Sequence, residues 1–292
     1  MANLKEIRNR ITSVASTMQI TSAMKMVSAA KLKRAQDAVI RMRPYANKLH
    51  NILSNLSSSL DNSNNVYSEQ RDVNNVLIVV ISSNRGLCGG FNNYVIKEAL
   101  RQARDTYKDK NVAVITIGKK ATDTFKKSNF NIKGSGLPKQ LDEVWANLKF
   151  DTVAPIAEKI MSTFADKNLD RVILVYNKFK NTATQIVTVE QFLPILPSEK
   201  KENEAEMDYI FEPSKEEIVN ELIPKSLKIQ LYSALLNSFA GEHGARMTAM
   251  HKATDNAGAL NKALKLEYNK ARQAAITNEI LEIVGGAEAL KG

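Results

Sequence analysis

The sequence is poor in the residue types that build most catalytic and metal-binding sites. Among its 292 residues it has one cysteine, Cys88, and three histidines. A single cysteine excludes an internal disulfide bond and a zinc site made of cysteines, and it is typical of a reducing compartment. His50 stands apart, while His243 and His251 would share a helix face without a third ligand. We therefore expect helix-surface roles for the histidines and no metal.

Long apolar runs and helix-breaking residues are also scarce. The longest plainly apolar run, Val76 to Ile81, is far shorter than the roughly 20 residues of a membrane-spanning helix. The N-terminus lacks the apolar core of a signal peptide, so we expect a protein that is soluble or peripheral to a membrane. Only 12 glycines, 7 prolines and 6% aromatic residues favour a helix-rich chain, and 43% hydrophobic residues can still fill a core.

What the chain does have is a heptad pattern over its first sixty residues. Positions spaced alternately by three and four residues are apolar except at Thr21, Lys25 and Ser28. These positions are Leu4, Ile7, Ile11, Val14, Met18, Thr21, Lys25, Ser28, Leu32, Ala35, Val39, Met42, Ala46, Leu49, Leu53, Leu56 and Leu60. A pattern sustained for so long predicts an α-helix that buries one stripe against a partner helix, as in a coiled coil.

A second heptad frame covers the C-terminal part of the chain. The frame that collects the most apolar residues is Ile218, Leu222, Lys225, Ile229, Tyr232, Leu236, Phe239, His243, Arg246, Met250, Ala253, Ala257, Leu260, Leu264, Glu267, Ala271, Ala274, Asn278 and Leu281. Residues 212–214 predict the start of this helix and Gly285-Gly286 its end. Gly241, Gly244 and Gly258 weaken the helix but would let another backbone approach closely.

The two helices are expected to pair antiparallel, because both leave a central insertion between residues 60 and 213. Placing residue 60 beside residue 214 pairs residues whose numbers add up to about 274. This register brings Lys25 and Ser28 of the first helix close to His243 and Arg246 of the second. We expect a functional collar at this level, or else polar residues that fix the register. Beyond about residue 270 the second helix would project alone for roughly 22 Å.

Between the two helices the pattern changes to alternating strands and helices. The predicted strands are Val76–Ile81, Val112–Ile117, Val172–Tyr176 and Thr184–Phe192, of which the last alternates and suits a sheet edge. The predicted helices cover residues 91–107, 121–127, 141–146 and 153–165. Continuous apolar strands that alternate with helices predict a mostly parallel sheet covered on both faces.

The expected fold class is therefore α/β, a long antiparallel coiled coil of the N- and C-terminal helices plus a central Rossmann-like α/β domain with a mostly parallel sheet. The predicted segments are a helix over 1–60, the α/β domain over 74–194, a charged linker over 195–213, and a helix over 214–286 that pairs antiparallel with the first.

The loop that follows the first predicted strand, residues 84–90 (NRGLCGG), is the strongest candidate for a ligand site. A glycine-rich turn between a strand and a helix could cradle phosphate on its backbone N–H groups. The loop matches neither the Walker pattern nor GxGxxG, so we expect its glycines to serve the turn and Arg85 to meet an acidic partner. Cys88 has no assigned base beside it, and we expect a small buried side chain rather than a nucleophile. We predict no catalytic residue and no cofactor.

The net charge of +10 is concentrated near the N-terminus. Residues 1–60 contain ten Lys and Arg residues against two acidic residues, Glu6 and Asp37, which leaves this segment at +8. A basic helix of this kind needs acidic partners, which could be nucleic acid, anionic lipid or acidic protein loops, and the charge alone does not choose among them.

Four blocks at both ends and in the middle of the chain carry a specific resemblance. They are residues 20–31 (ITSAMKMVSAAK), residues 85–90 (RGLCGG), residues 245–250 and 253–256 (ARMTAM and ATDN), and residues 268–277 (YNKARQAAIT). Together they resemble the γ-subunit family of the rotary proton-translocating ATP synthase, in its bacterial form. The sequence departs from the family in that Ser22 stands where many members have Lys, Lys25 where many have Glu, and Asn84 where Asp is common.

The resemblance implies a central stalk, one copy per complex, that turns inside a ring of three α and three β subunits. It implies an ε subunit and a ring of membrane c subunits as further partners, and a peripheral place at the cytoplasmic side of a bacterial cell membrane. Proton-driven rotation of the c ring would be coupled to the catalytic sites on the β subunits. The chain itself would be a non-catalytic subunit of the enzyme complex.

The same resemblance assigns roles to individual residues. It implies that Arg272, Gln273 and Thr277 contact the catch loop of a β subunit, and that Arg85 lies at a related contact. Met24 and Lys25 match a level of the family's first helix that is linked to coupling.

Two rival functions remain open on the sequence alone. A basic coiled-coil protein that binds nucleic acid or lipid would need aromatic residues for stacking, and the first helix offers only Tyr45. An α/β enzyme with a phosphate site would need the motif that residues 84–90 lack.

Overall fold

The structure is a computed structural model that describes residues 4–57, 66–126, 130, 137, 138, 141–195 and 215–289. Two long helices begin and end the described chain, and a four-stranded sheet with shorter helices lies between them in sequence. The elements are α1 Leu4–Ser57, β1 Asn75–Ile81, α2 Phe91–Arg101 with a π-helical turn Gln102–Thr106, β2 Asn111–Ile117, α3 Lys119–Phe125, a 3-10 helix Asp142–Ala146, α4 Phe150–Ala165, β3 Arg171–Phe179, β4 Gln185–Leu193 and α5 Lys215–Ala289. The predicted fold class is confirmed.

The chain forms two compact units. The first consists of Met1–Ser28 and Met247–Gly292, and the second of Ala29–Arg246. Both long helices run through the two units, so the compact units do not follow the four segments predicted from the sequence. That division stays a prediction, and all but the first residue of its linker lies outside the described residues.

In the first unit α1 and α5 pair antiparallel, and cross-helix contacts give their register. Arg8 donates a hydrogen bond of 2.6 Å to the hydroxyl of Tyr268, and the Asn261 amide donates one of 3.2 Å to the carbonyl of Ile11. Farther along, the hydroxyls of Thr21 and Thr254 lie 2.8 Å apart. In each pair the residue numbers add up to about 274, so the predicted register is confirmed.

The heptad frame predicted for α1 agrees with its burial. Ile7, Thr21 and Ser28 are buried on the side that faces α5, whereas Ile20 and Val27 on the opposite face are 59% and 57% exposed. The frame holds because a helix with apolar residues at alternate spacings of three and four presents them all on one stripe.

The frame predicted for α5 is wrong at two positions of its C-terminal half, although Ala257 and Leu264 are buried as predicted. Leu260 is 51% exposed and Glu267 is exposed, although both were assigned to the seam. Leu264 of the predicted frame is buried as expected, but the neighbouring seam positions are Asn261, which is buried, and Tyr268, which is half-buried. Two of these residues are polar and bond to α1, so a frame chosen by counting apolar residues misses them.

The predicted end of α5 is also wrong. Gly285 and Gly286 lie inside the helix, which continues to Ala289. Neither glycine has the positive φ with which a glycine ends a helix, and each costs only about 1 kcal/mol relative to alanine in a helix interior. From Ile276 to Ala289 every residue is exposed, including Ile280 and Ile283, which are 55% and 71% exposed. This end of α5 therefore presents apolar side chains without a neighbour among the described residues.

In the second unit the strands form one sheet in the order β2-β1-β3-β4. β1 pairs in parallel with β2 and β3, while β4 pairs antiparallel with β3 at the edge. All four predicted strands are present, with bounds shifted by one to three residues. β1 (NVLIVVI) is buried almost throughout, as expected for a central strand whose two faces are both covered.

Each face of the sheet has its own core. On one face, α4 and the start of α5 pack against alternate strand residues such as Leu77 and Leu174. On the other face, α2 and α3 pack against Ile78 and Val175. Alternation along a strand sends neighbouring side chains to opposite faces, which is why two separate cores form. None of the described helices is long and apolar enough to cross a membrane.

Candidate functional site

The loop of residues 82–90 lies where an open α/β sheet usually binds a ligand. It follows the carboxyl end of β1, the strand whose neighbours β2 and β3 lie on its two sides. In such sheets the crevice outside the carboxyl ends of the strands, at the point where the strand order reverses, is the common ligand site. The loop is therefore the place to look for a bound group.

Helix α5 occupies this crevice. A Cβ atom on Gly241 would lie 3.2 Å from the Gln185 side chain and 3.3 Å from the ring of Phe91. One on Gly244 would lie 3.3 Å from the carbonyl oxygen of Thr182. The predicted close approach of another backbone is confirmed at Gly244 and is looser at Gly241, where the Asn177 carbonyl oxygen is 3.7 Å away, while at Gly258 only the Met18 sulfur lies within 4 Å. Helix α5 therefore fills the space above the strand ends.

The loop itself is built as a tight turn. Leu87 and Gly89 both have φ near +60°, the left-handed region. Asn92, in the first turn of α2, accepts a hydrogen bond from the backbone N–H of Ser83 at 3.0 Å, and its amide lies 3.2 Å from Cys88 Sγ. These bonds give the polar groups of the turn their partners. They agree with the expectation that the loop's glycines serve the turn.

Arg246 of α5 fastens the loop to the helix. Its guanidinium donates to the carbonyl of Arg85 at 2.9 Å and to the carbonyl of Gly86 at 3.2 Å. It also forms an ion pair of 2.7 Å with Glu242, one turn earlier, and donates to His243 Nδ1 at 3.2 Å. The side chains of Arg246 and Glu242 are 8% and 9% exposed, so this ion pair is buried.

Burial governs the electrostatics of this cluster. It raises the pKa of Glu242, and the positive charges of Arg246, Lys31 and Arg85 oppose that rise. It also lowers the pKa of His243 to about 3, with Arg246 and Lys31 adding to the effect. His243 is therefore neutral at pH 7 and accepts the bond from Arg246. The expected surface role is wrong for His243, which is 5% exposed, and correct for His251, whose side chain is 59% exposed.

Cys88 is a buried side chain, as predicted, and 2% exposed. Burial raises the pKa of its thiol, with Arg246 opposing that effect. A raised pKa keeps the sulfur protonated and unreactive at pH 7. Within the described residues, no group of three or more His, Cys, Asp or Glu side chains is placed to hold a metal ion.

The structure divides the predicted collar between the two units. Met24, Lys25 and Ser28 belong to the first unit, whereas His243 and Arg246 belong to the second. Ser28 is buried and 2% exposed, while Met24 and Lys25 are half-buried. The collar as a whole stays a prediction.

The residues predicted to contact a β subunit are available at the surface. Arg272, Gln273 and Thr277 are exposed on α5, close to the apolar end of that helix. The hydroxyl of Thr277 donates to the carbonyl of Gln273 at 2.9 Å, which uses its proton within the helix. Arg85 is exposed on the loop, with its carbonyl held by Arg246.

Sequence reasoning missed three residues of this site, namely Glu242, which is buried, Trp145, which is half-buried, and Lys31, which is exposed. Glu242, four residues before Arg246, has the spacing of an i, i+4 ion pair on a helix and could have been found from it. Lys31 acts on both Glu242 and His243 and lies three residues beyond Ser28. Trp145 stacks on Phe239 with ring centroids 5.8 Å apart, a contact for which the sequence carries no signal.

Comparison with known proteins identifies the chain. A family model described as ATP synthase matches residues 3–290. An ATP synthase gamma chain of Flavobacterium psychrophilum is 61% identical over 293 residues, and one of Christiangramia forsetii is 59% identical over 293 residues, both over the full length of each protein. The chain belongs to the ATP synthase gamma-chain family. The rival function, a nucleic-acid- or lipid-binding coiled coil, receives no support from these matches.

A solved structure agrees on the fold of this gamma-chain family. The chain is similar to a chain in the Euglena gracilis mitochondrial ATP synthase, solved as OSCP, F1 and c-ring, with a TM-score of 0.67 and 21% identity. The similarity covers 98% of this chain and 94% of that one. Long terminal helices and a central α/β domain therefore persist where most of the residues differ.

Proposed function

We propose that the chain is the rotor of a proton-translocating ATP synthase, the shaft that turns inside a ring of three α and three β subunits. The antiparallel pairing of α1 with α5 and the bare end of α5 carry this proposal. A shaft needs a stiff paired helix, and an end that seats in a surrounding ring needs surface that is not covered by its own chain. The exposed apolar residues from Ile276 onward supply such an end.

Coupling would follow from the asymmetry of the shaft. Three chemically identical β subunits around one asymmetric helix pair meet different side chains at each rotation angle. A contact can shift an equilibrium between conformations only if it differs between them, so each angle would favour a different nucleotide state in each β subunit. The chain would supply no catalytic group, and all chemistry would remain on the β subunits.

The residues proposed to contact a β subunit are Arg272, Gln273, Thr277 and Arg85. The first three share an exposed face of α5, and Arg85 projects from a loop that Arg246 holds in place. Two of the four are cations, and the exposed face of α1 carries further basic residues, so acidic loops are the complementary surface on the ring.

The remaining partners proposed for the chain are an ε subunit and a membrane ring of c subunits, with one copy of the chain per complex. Within that complex the chain would be peripheral, at the cytoplasmic side of a bacterial membrane, consistent with full-length relatives from bacteria. A collar of Met24, Lys25, Ser28, His243 and Arg246 is proposed to transmit coupling along the shaft.

Reconstitution tests the proposed function. The chain is mixed with purified α and β subunits, and the complex is sized by light scattering and assayed for ATP hydrolysis. We expect a complex of three α, three β and one copy of the chain that hydrolyses ATP faster than the ring without it. Failure to enter such a complex, together with salt-dependent binding to DNA alone, would favour the rival function of a basic nucleic-acid-binding coiled coil.

A further inference from the structure

We propose that residues 241–246 of α5 and the loop of residues 84–90 form the joint through which torque passes between the α/β domain and the shaft, and that Arg246 is its positioning residue. This inference rests on the proposed rotor function. It concerns only the second compact unit, where both parts of the joint lie.

The first support is the close seating of α5 on the strand ends. The missing side chains of Gly241 and Gly244 let the helix backbone approach β3, β4 and the start of α2. A Cβ atom on Gly241 would be 3.7 Å from the carbonyl oxygen of Asn177, and the Asn177 amide in turn donates to the carbonyl of Phe91 at 3.0 Å. A helix seated in this way resists sideways movement, because the sheet on either side is close-packed.

The second support is the set of bonds made by Arg246. It donates to two successive carbonyls of the loop, those of Arg85 and Gly86, and its charge is balanced by Glu242 on its own helix. Rotation or sliding of α5 against the loop would separate these groups. The buried guanidinium would then lose both loop carbonyls and keep only Glu242 and His243 on its own helix, which is more costly than loosening an exposed pair. Arg246 therefore opposes the movement that torque would drive.

The third support is that the loop is fixed to the rest of the domain. The Asn84 amide donates to the carbonyl of Asp142 at 2.9 Å, and its oxygen accepts from the backbone N–H of Lys119 at 3.0 Å. The backbone N–H of Lys120 donates to the carbonyl of Ser83 at 3.1 Å. A load on the loop is thus shared by β1, α3 and the 3-10 helix.

A stacked pair of rings strengthens the same contact. Trp145, on the 3-10 helix, stacks on Phe239 of α5 at an interplanar angle of 16°. Phe239 in turn meets the ring of His243 edge-on, with centroids 4.5 Å apart. Apolar and polar contacts therefore converge on one stretch of α5, directly before it continues as a single helix towards Ala289.

The test compares variants in the complete ATP synthase reconstituted into vesicles. ATP hydrolysis and ATP-driven proton uptake are measured on the same preparation, and their ratio reports coupling. For Arg246→Met we expect hydrolysis to continue while proton uptake per ATP falls by about fivefold or more. Arg246→Lys keeps the charge and one donor group, and we expect it to restore part of the ratio. Such partial rescue points to positioning, since a general loss of stability would lower both activities together.

The matched control is Arg101→Met. It removes an arginine from an ion pair with Glu98 in the same domain, but at the surface, where the side chains are 56% and 21% exposed. We expect its ratio of proton uptake to hydrolysis to equal that of the original chain. The thermal midpoint shows whether the Arg246→Met chain folds. If it does not, the Glu242→Gln variant tests the joint instead, because glutamine keeps the shape of the glutamate side chain and removes its charge. We expect it to lower the ratio as well.

The two proposals can fail separately. If the unaltered chain does not assemble and pump protons, the rotor function itself is wrong. If it does, and the folded Arg246→Met or Glu242→Gln chain pumps the normal number of protons per ATP, the joint is overturned alone. An equal loss in Arg101→Met would also overturn it, because the effect would then not depend on the buried bonds.

Discussion

At the scale of single residues, the most informative feature is a buried group of titratable side chains on α5. Glu242, His243 and Arg246 lie within two turns of one another and are all less than 9% exposed. Their charges are not independent, because Arg246 stabilises the ionised form of Glu242 and disfavours protonation of His243. Such a group makes the stability of the second unit depend on pH.

For His243, the direction in which folding stability changes with pH follows from its pKa in the two states. Its pKa is about 6.5 in the unfolded chain and about 3 in the folded chain, so between these values the unfolded state binds the extra proton. Folding stability is therefore present above pH 6.5 and is lost as the pH falls, by about 1.4 kcal/mol per unit within the window. Glu242, whose pKa is raised, acts in the opposite direction as the pH falls.

Comparison with His243→Gln isolates the contribution of the histidine. Glutamine does not titrate, so we expect the thermal midpoint of the variant to fall less steeply than that of the original chain between pH 6.5 and pH 4. Thermal unfolding followed by circular dichroism measures the two slopes, and His251→Gln, at the exposed histidine, serves as the control. Equal slopes in the original chain and His243→Gln would contradict the assigned burial.

Two glycines give opposite predictions for the same substitution. Gly118 has a φ of +113°, and a Cβ atom there would lie 2.1 Å from the carbonyl oxygen of Ser82. Gly118→Ala must therefore push apart the backbone segments that follow β1 and β2. We expect it to lower the free energy of unfolding by more than about 2 kcal/mol. Denaturant titration of the variant measures this loss.

Gly285 is the matched glycine, because nothing lies within 4 Å of its added Cβ and it stands inside a helix. We expect Gly285→Ala to raise the helicity of the C-terminal end of α5, since alanine is favoured by about 1 kcal/mol in a helix interior. Far-ultraviolet circular dichroism detects the gain. A loss of helicity would show that the glycine ends the helix after all.

At the scale of elements, two leucines on α5 test where the seam runs. Leu264 is 7% exposed and Leu260, one turn earlier, is 51% exposed. We expect Leu264→Ala to destabilise the helix pair by about 2–3 kcal/mol, and Leu260→Ala to change its stability by less than about 0.5 kcal/mol. Thermal unfolding of both variants compares the two costs, and equal costs would support the frame predicted from the sequence.

The sequence predicts an element well when its apolar residues follow a single period, such as a continuous apolar run or an unbroken heptad. The strand of residues 76–81 is apolar at every position, so it could only be a buried strand or a short core helix, and it was predicted correctly. The heptads of α1 are interrupted only at Thr21, Lys25 and Ser28, too few to hide the period.

The positions of the α5 seam on either side of Leu264 could not be found in this way, because their contacts are polar. Asn261 and Tyr268 bond to α1 across the seam, while Leu260 and Leu266 remain exposed. The same holds for the candidate site. His243 and Arg246 were identified as unusual in a seam, but the carbonyls that Arg246 binds lie about 160 residues away in sequence, and no periodicity records such a contact.

The exposed end of α5 is expected to work through specific side chains. If Arg272, Gln273 and Thr277 contact a β subunit, replacing all three by alanine should lower ATP-driven torque or the rate of rotation several-fold without preventing assembly, because their exposure leaves the fold unaffected. Lys262→Ala with Lys265→Ala, at exposed residues nearby on the same helix, is the control. Normal rotation of the triple variant would remove these residues from the proposed contact.

At the scale of the whole molecule, charge and shape support the same function. The net charge of +10 favours association with acidic surfaces. Within the first unit, α5 is paired with α1 along part of its length and is exposed on all sides from Ile276 to Ala289. A protein that only had to bind an acidic partner would not need this length of paired helix. A shaft does, since a stiffer helix pair twists less under a given torque.

The central claim is that the chain rotates within its ring, and direct observation of rotation tests it. The α and β subunits are fixed to a surface, a bead is attached to the α/β domain of this chain, and ATP is supplied. We expect rotation in one direction with pauses about 120° apart, because a ring of three identical β subunits presents the same contacts three times per turn. A bead that stays still, or that turns equally in both directions while ATP is hydrolysed, would contradict the rotor function.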